Sequence, residues 1–301
     1  MYNSLARQKI DFHLYIFAFD DKSFEILQKL NLANATIIPL REIEDERLLA
    51  VKAGRTKGEY CWTATTSTIL YCLQKFNLER ITYVDADIYF FNSPQPVLDQ
   101  LGNKSVLLIE HHYAPQYDQS ALSGKYCVQF MTFKNNEEGL RVLNWWKDQV
   151  IEWCFNRRED GKCGDQKYLD DWPERFSGAV AESKYWGGGV APWNTLRFEF
   201  FREDGVIKIK EDEEVFNLVF YHFHNSQPYF WRRKINVFKG SFVLNKSLII
   251  REIYTIYQQE LNYCLHMIRA LDNDFDKGVF PLKQILSGKI RNIIYLLKGK
   301  K

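Results

Sequence analysis

The chain reads as an α/β protein, a mixed sheet flanked by helices. Three observations predict this. Short apolar runs alternate with amphipathic helical segments, the order that builds a sheet covered on both faces. The runs are continuous instead of alternating with period two, as in strands buried on both sides. The composition, 46% hydrophobic and 26% charged over 301 residues, is ordinary for a globular domain and sufficient for a sizeable core.

In order along the chain, Met1 to Lys9 is a short polar helical piece. Phe12 to Phe19, aromatic-rich and bounded by Asp20-Asp21, is a buried strand. Ser23 to Leu30 is helical, Ala35 to Leu40 is a second short strand, and Arg41 to Gly58 is polar and partly helical. From Trp62 to Phe76 apolar residues recur at three and four, predicting a helix. Ile81 to Phe91 reads as strand, acidic turn, strand, and Ser105 to His112 as another buried strand. Val128 to Asn135 is strand-like, and Glu137 to Asn156 is a long helix carrying Trp145, Trp146 and Trp153. Asp165 to Asp171 is a short helix, Tyr185 to Asn194 a Gly-rich loop, and Leu218 to Asn225 a last strand. Ser247 to Leu271 is helical again. With no internal repeat or low-complexity linker, the simplest partition is one sheet-centred domain over 1–245 and a helical extension over 246–301.

A net charge of +2, from 40 basic and 38 acidic residues, does not suit a nucleic-acid partner. The six cysteines form no C-x-x-C pair and no evident disulfide framework, which points to a reducing compartment. The start lacks the apolar core of a signal peptide, and no run of about 18 apolar residues is present. A cytoplasmic location is therefore expected.

The strongest site candidate is Asp85-Ala86-Asp87. A D-x-D triplet arises by chance roughly once in a chain of this length, so its setting matters. The apolar stretch Ile81 to Val84 carries both carboxylates to the end of a strand, where open α/β sheets bind ligands. An extended backbone puts Asp85 and Asp87 on one side. Two carboxylates held together repel, and a divalent cation relieves that repulsion. Hard oxygen ligands favour Mg2+ or Mn2+, which also bridge nucleotide phosphates.

The segment from Tyr60 to Pro96 resembles the nucleotide-sugar transferases of the GT-A (Rossmann-like) fold, and most of all the retaining group that includes glycosyltransferase family 8. Those proteins place a helix, a strand ending in D-x-D, and an aromatic-rich strand in this order. Cys127 to Trp146 resembles their central strand and helix, and Gly164 to Phe176 their D-Q helix. Tyr221 to Asn225 (YHFHN) resembles the late strand end that supplies a third metal ligand. The resemblance implies metal-dependent transfer of a sugar from a nucleotide-sugar donor to a glycan or glycolipid acceptor, with retention of configuration. It also implies a hexosyltransferase-like enzyme of cell-surface polysaccharide synthesis.

Carried onto this sequence, the resemblance makes Asp85, Asp87 and His222 the ligands of Mn2+ or Mg2+, with His224 the fallback. It makes Asp165 the residue that orients the sugar hydroxyls and Gln166 the one that stabilises positive charge at the transition state; Asp165 also suits a helix cap. Asp85, Ala86 and Asp87 with Trp193 and Asn194 of the Gly-rich loop are expected to meet the donor. Lys57, with Lys52 and Arg55, is expected either to meet phosphates or to belong to a solvated basic loop. His111 and His112 end a core strand on the side of the acidic turn. The family's late glycine is Asn225 here. Its usual Lys for the leaving diphosphate is missing, leaving Arg232, Arg233 or Lys234 as substitutes. The family's first strand is expected to be absent, so the sheet should have an unpaired edge.

Residues 281–301 contain six Lys or Arg and no acid, interleaved with Ile and Leu. That composition fits either a helix on an anionic membrane surface, suiting a lipid-linked acceptor at the inner face, or a C-terminal helix packed on the domain. A sugar-nucleotide nucleotidyltransferase is the alternative enzyme, although no Gly-rich basic loop follows Phe19. A non-catalytic glycan- or partner-binding relative is the alternative outside enzymes.

Overall fold

The computed structural model describes residues 1–231, 234–240, 242–275, 278–282 and 285. Helix α1 (Tyr2–Ala6) leads to strand β1 (Leu14–Ala18), helix α2 (Asp21–Leu30) and strand β2 (Ala35–Pro39), which pairs in parallel with β1. Helix α3 (Glu46–Lys52) precedes the long α4 (Lys57–Lys75). The last begins five residues before the apolar periodicity suggests. Thr56 and Glu59 form a reciprocal capping box that satisfies its free N–H groups.

Strands β3 (Arg80–Val84) and β4 (Ile88–Phe90) flank the acidic turn. After helix α5 (Gln95–Leu98) come strand β5 (Val106–Glu110), helix α6 (Ser120–Ser123), strand β6 (Tyr126–Lys134) and helix α7 (Glu137–Glu152). Helix α8 (Trp172–Arg175) leads to strands β7 (Val180–Glu182) and β8 (Gly188–Val190). A meander follows, β9 (Glu199–Glu203), β10 (Val206–Glu211) and β11 (Glu214–Asn217), then β12 (Phe220–His222). Strands β13 (Gln227–Trp231) and β14 (Lys234–Phe238) form a hairpin, and α9 (Leu248–Leu271) comes last.

The largest sheet has the order β3-β6-β5-β7, with β6 antiparallel to both neighbours and β7 parallel to β5. Both faces of β5 and β6 are buried. Val106, Leu108, Met131 and Phe133 face a core built on Trp146 of α7 and Trp172 of α8. Leu107, Ile109 and Phe130 face the other way, onto Phe90, Val97 and Phe220. That accounts for continuous apolar runs at these strands. A smaller sheet, β4-β12-β8, lies beside the acidic turn. Helix α9 buries Ile250, Ile253, Tyr254 and Tyr257 against residues of β9, β10 and β12.

Among the described residues β1 pairs only with β2 and β3 only with β6. Between them lies a cavity of about 730 Å³, lined by residues 14–17 of β1 and by all of β3, with Trp62 and Thr65 of α4 on one side. Its rim includes Asp85 and Ala86. No helix among the described residues is long and apolar enough to cross a membrane. Of the basic segment 281–301, residues 283, 284 and 286–301 lie outside the described residues, as do Arg232 and Arg233.

Candidate functional site

The acidic turn is fixed by backbone before any side chain acts. The N–H of Asp85 donates to the carbonyl of Gln129 on β6 at 2.9 Å. The carbonyl of Asp87 accepts from the N–H of Phe223, just past β12, at 2.9 Å. Strand β4 runs antiparallel to β12, with Ile88 opposite His222. These pairings bring the early and late motifs together. His222 Nε2 stands 3.0 Å from Asp87 Oδ1 and 3.7 Å from Asp85 Oδ2. One ligand atom from each of the three residues lies within 4.8 Å of the others. Ligands held ~2.1 Å from one shared ion stand ~3 Å apart in cis and ~4 Å apart in trans. The trio therefore fits a small, hard divalent cation bound by oxygen and imidazole nitrogen.

Its electrostatics point the same way. Burial raises Asp85 above the ordinary carboxylate range, and the charge of Asp87 adds to this. Burial would lower His222, but Asp87 and Asp85 overcome it and hold the imidazole well above its ordinary value. Among the described residues no Lys or Arg pairs with either carboxylate. The site thus carries excess negative charge in a partly desolvated place, where a cation is worth more than in water.

A second layer orients the trio. Tyr83, two residues before Asp85 on the same face of β3, donates its hydroxyl to Asp85 Oδ1 at 2.8 Å. On the far side of His222, Nδ1 lies 2.7 Å from Gln129 Oε1. Gln129 is fully buried in the middle of β6. The sequence reading passed over both residues. The available signal was a glutamine inside an otherwise apolar strand, YCVQFMTF.

Asp165 is buried, and burial, reinforced by the charge of Asp85, pushes its carboxyl up to about 7. It belongs to the same electrostatic cluster as the trio. Gln166 does not turn the same way: its amide donates to the carbonyl of Ser123 at 2.9 Å, tying the helical turn at 166–171 to the end of α6. Ala86 is exposed at the cavity rim.

Trp193 is buried, donates its indole N–H to the carbonyl of His111 at 2.7 Å, and sets its ring edge-on to His222 and His224. Asn194 is buried too, and its side chain bonds the backbone of Ala191, His111 and Gly189. Neither lines the cavity; both hold the Gly-rich loop in place through their own packing. The glycines before them serve close packing as well, since a Cβ at Gly187 would lie 2.0 Å from the carbonyl oxygen of Asn217.

The basic loop divides. Lys57 is exposed in the first turn of α4, where its charge acts on Asp20, and it does not line the cavity. Lys52 pairs with Glu44 at 2.5 Å. Arg55 is committed to the end of α7, donating to the carbonyls of Val150 and Ile151 at 2.7 and 2.6 Å. His111 is buried, with Nδ1 3.2 Å from the carbonyl of Lys125, and burial pushes it down to about 3. His224 is exposed, and Lys234 is exposed at the start of β14.

Comparison with known proteins adds little chemistry. No family model matches the chain. It is 29% identical over 284 residues to the uncharacterized Bacillus subtilis (strain 168) protein YfnF, spanning 92% of this chain and 91% of that one. It is 29% identical over 288 residues to YfnD of the same organism, also described as uncharacterized, spanning 93% and 89%. Among solved structures, a glycosyltransferase involved in glycosylation of the major capsid of PBCV-1 superimposes with a TM-score of 0.40 at 12% identity, over 72% of this chain and 94% of that one. Mouse xyloside xylosyltransferase 1 gives 0.38 at 12% identity, over 60% and 76%. Scores this low carry no weight for the activity.

Proposed function

We propose that this chain is a glycosyltransferase of the GT-A type that moves a sugar from a nucleoside diphosphate donor to a glycan or lipid-linked acceptor, with retention of configuration. The observation that carries this reading is the convergence of Asp85, Asp87 and His222, drawn from opposite halves of the chain to one point at the rim of a large cavity. Asp85, Asp87 and His222 would hold Mn2+ or Mg2+, which when bound neutralises the charge of a departing diphosphate. The cavity beside Asp85 and Ala86 takes the nucleoside end of the donor, with Trp62 and Thr65 on its wall. Trp193 and Asn194 back the site by fixing the loop behind His222, and Asp165 orients the sugar hydroxyls. Gln166 acts there by holding the 166–171 turn. In this reading catalysis is mostly positioning and electrostatics, without a protein nucleophile.

Residues 1–245 form the catalytic unit and 246–301 its helical extension, whose basic segment 281–301 would place the chain against an anionic membrane surface on the cytoplasmic side. Incubation with UDP-, GDP- and CMP-sugars, with Mn2+ or with a chelator, tests the reading. Metal-dependent release of the nucleotide supports transfer. Turnover that needs pyrophosphate points to nucleotidyl transfer, and no turnover with any donor points to a binding protein. An inverted product anomer by NMR would remove the retaining mechanism alone.

A further inference from the structure

We propose that Gln129 is a positioning residue that fixes the tautomer of His222 and so makes the trio able to bind a cation. This rests on the metal reading of Asp85, Asp87 and His222. Gln129 is fully buried in a strand whose neighbours Val128, Phe130 and Met131 are apolar core residues. A buried amide in such a place destabilises the fold unless its groups are paired. Only its Oε1 has a side-chain partner, the Nδ1 of His222 at 2.7 Å, whereas Nε2 has none. Leaving a buried N–H group unmatched destabilises the fold, so an apolar residue would serve the core better.

What the amide provides is an acceptor. An imidazole whose Nε2 lone pair faces a cation carries its hydrogen on Nδ1, and Nδ1–H must donate to something. Gln129 Oε1 is placed for that hydrogen. The same residue's carbonyl takes the N–H of Asp85 at 2.9 Å, so one position on β6 holds both the first carboxylate's backbone and the histidine ring. Beyond the amide lies Gly189, where a Cβ would stand 3.5 Å from Nε2 and 3.0 Å from Ile109 Cγ2. Its φ of +144° is a conformation that side-chain-bearing residues rarely adopt, which keeps the wall behind Gln129 free of a side chain.

The test uses the full chain and two readouts. Free Mn2+ measured by electron paramagnetic resonance gives the dissociation constant, and long-range 1H–15N spectra of the histidine rings without metal show whether Nδ1 of His222 carries a hydrogen. Gln129→Leu is expected to weaken Mn2+ binding about 10- to 100-fold and to lose the Nδ1–H form of His222. Gln129→Glu, which keeps an acceptor, is expected to stay within a few-fold of the wild type. Unchanged Mn2+ affinity in Gln129→Leu, or a wild-type His222 whose Nδ1 carries no hydrogen, overturns the proposal; the second outcome decides even if the leucine variant does not fold. A wild type that binds no Mn2+ but keeps Nδ1–H on His222 overturns the metal reading and leaves the role of Gln129 standing.

Discussion

Among the described residues two histidines form ion pairs with carboxylates, and their surroundings balance the charge in opposite ways. His112, just past β5, stacks on Trp186 with ring centres 3.9 Å apart, and its Nε2 lies 2.5 Å from Glu211. Arg197 grips the same Glu211, with Nε 2.6 Å from Oε1. Burial holds His112 below its ordinary value despite the nearby carboxylate, so one cation and one anion close that cluster. His222 instead meets two carboxylates, and no Lys or Arg joins them among the described residues. A histidine beside an acid is therefore not in itself a site. What separates the two clusters is uncompensated charge, which at His222 only a further cation can neutralise.

The largest expected effect follows from that difference. Asp87→Ala should lower metal-dependent turnover about 10⁴-fold, roughly 5–6 kcal/mol at the barrier, while thermal stability in chelator falls by no more than about 1–3 kcal/mol, because buried His222 loses the carboxylate it pairs with. Donor turnover and a melting curve on the same preparation check it. An active Asp87→Ala enzyme would erase the distinction between the clusters.

His111 is a third case, buried without any carboxylate, and it sharpens the comparison through pH. The folded protein keeps it uncharged down to about 3, whereas in the unfolded chain it takes up a proton near pH 6.5. Protons in that window bind the unfolded state preferentially, so its contribution is complete above pH 6.5 and is lost as pH falls toward 3. The full window is worth roughly 4–5 kcal/mol. Urea unfolding followed from pH 7 to pH 4 should show this slope in the wild type, and His111→Phe should flatten it.

The acidic turn was legible because an apolar strand carries it, a local property, but its carboxylates meet through a turn at Ala86-Asp87 and not through the extended backbone that alternation assumes. His222 could be reached only through resemblance, since its approach to Asp87 depends on β12 lying against β4. Gln129 was hidden for the same reason: its partner is 93 residues away, and nothing local marks a glutamine as a ring's acceptor. One miss was avoidable. Asp204-Gly205 joins β9 to β10 with φ of +50° and +78°, and an Asp-Gly pair between strand-like runs is a strong hairpin signal. Arg55 and Lys57 show the converse. Their spacing before the acidic strand suggests phosphate contact, yet the carbonyls at the end of α7 claim the first and solvent surrounds the second.

Glu211→Gln tests the closed cluster from its own side. It leaves Arg197 and His112 without their shared carboxylate and should lower stability by about 1.5–3 kcal/mol. Mn2+ at 100 times its dissociation constant should still stabilise that variant by about 2.7 kcal/mol, as it does the wild type, and should not stabilise Asp87→Ala. Equal responses of the two variants in a thermal melt would mean that the clusters are not distinct cation sites.

The smallest expected effect separates charge near the site from charge in it. Lys57 lies on the exposed start of α4, and its field reaches Asp20 instead of the carboxylate pair. An exposed lysine this far from compensation is screened by solvent and salt. Lys57→Ala should therefore change stability by less than ~0.5 kcal/mol and the donor KM by less than about twofold, a difference under ~0.5 kcal/mol. A KM rise of tenfold at low salt that vanishes at high salt would instead put Lys57 on the donor's phosphates and extend the cation-demanding region of the molecule beyond Asp85, Asp87 and His222.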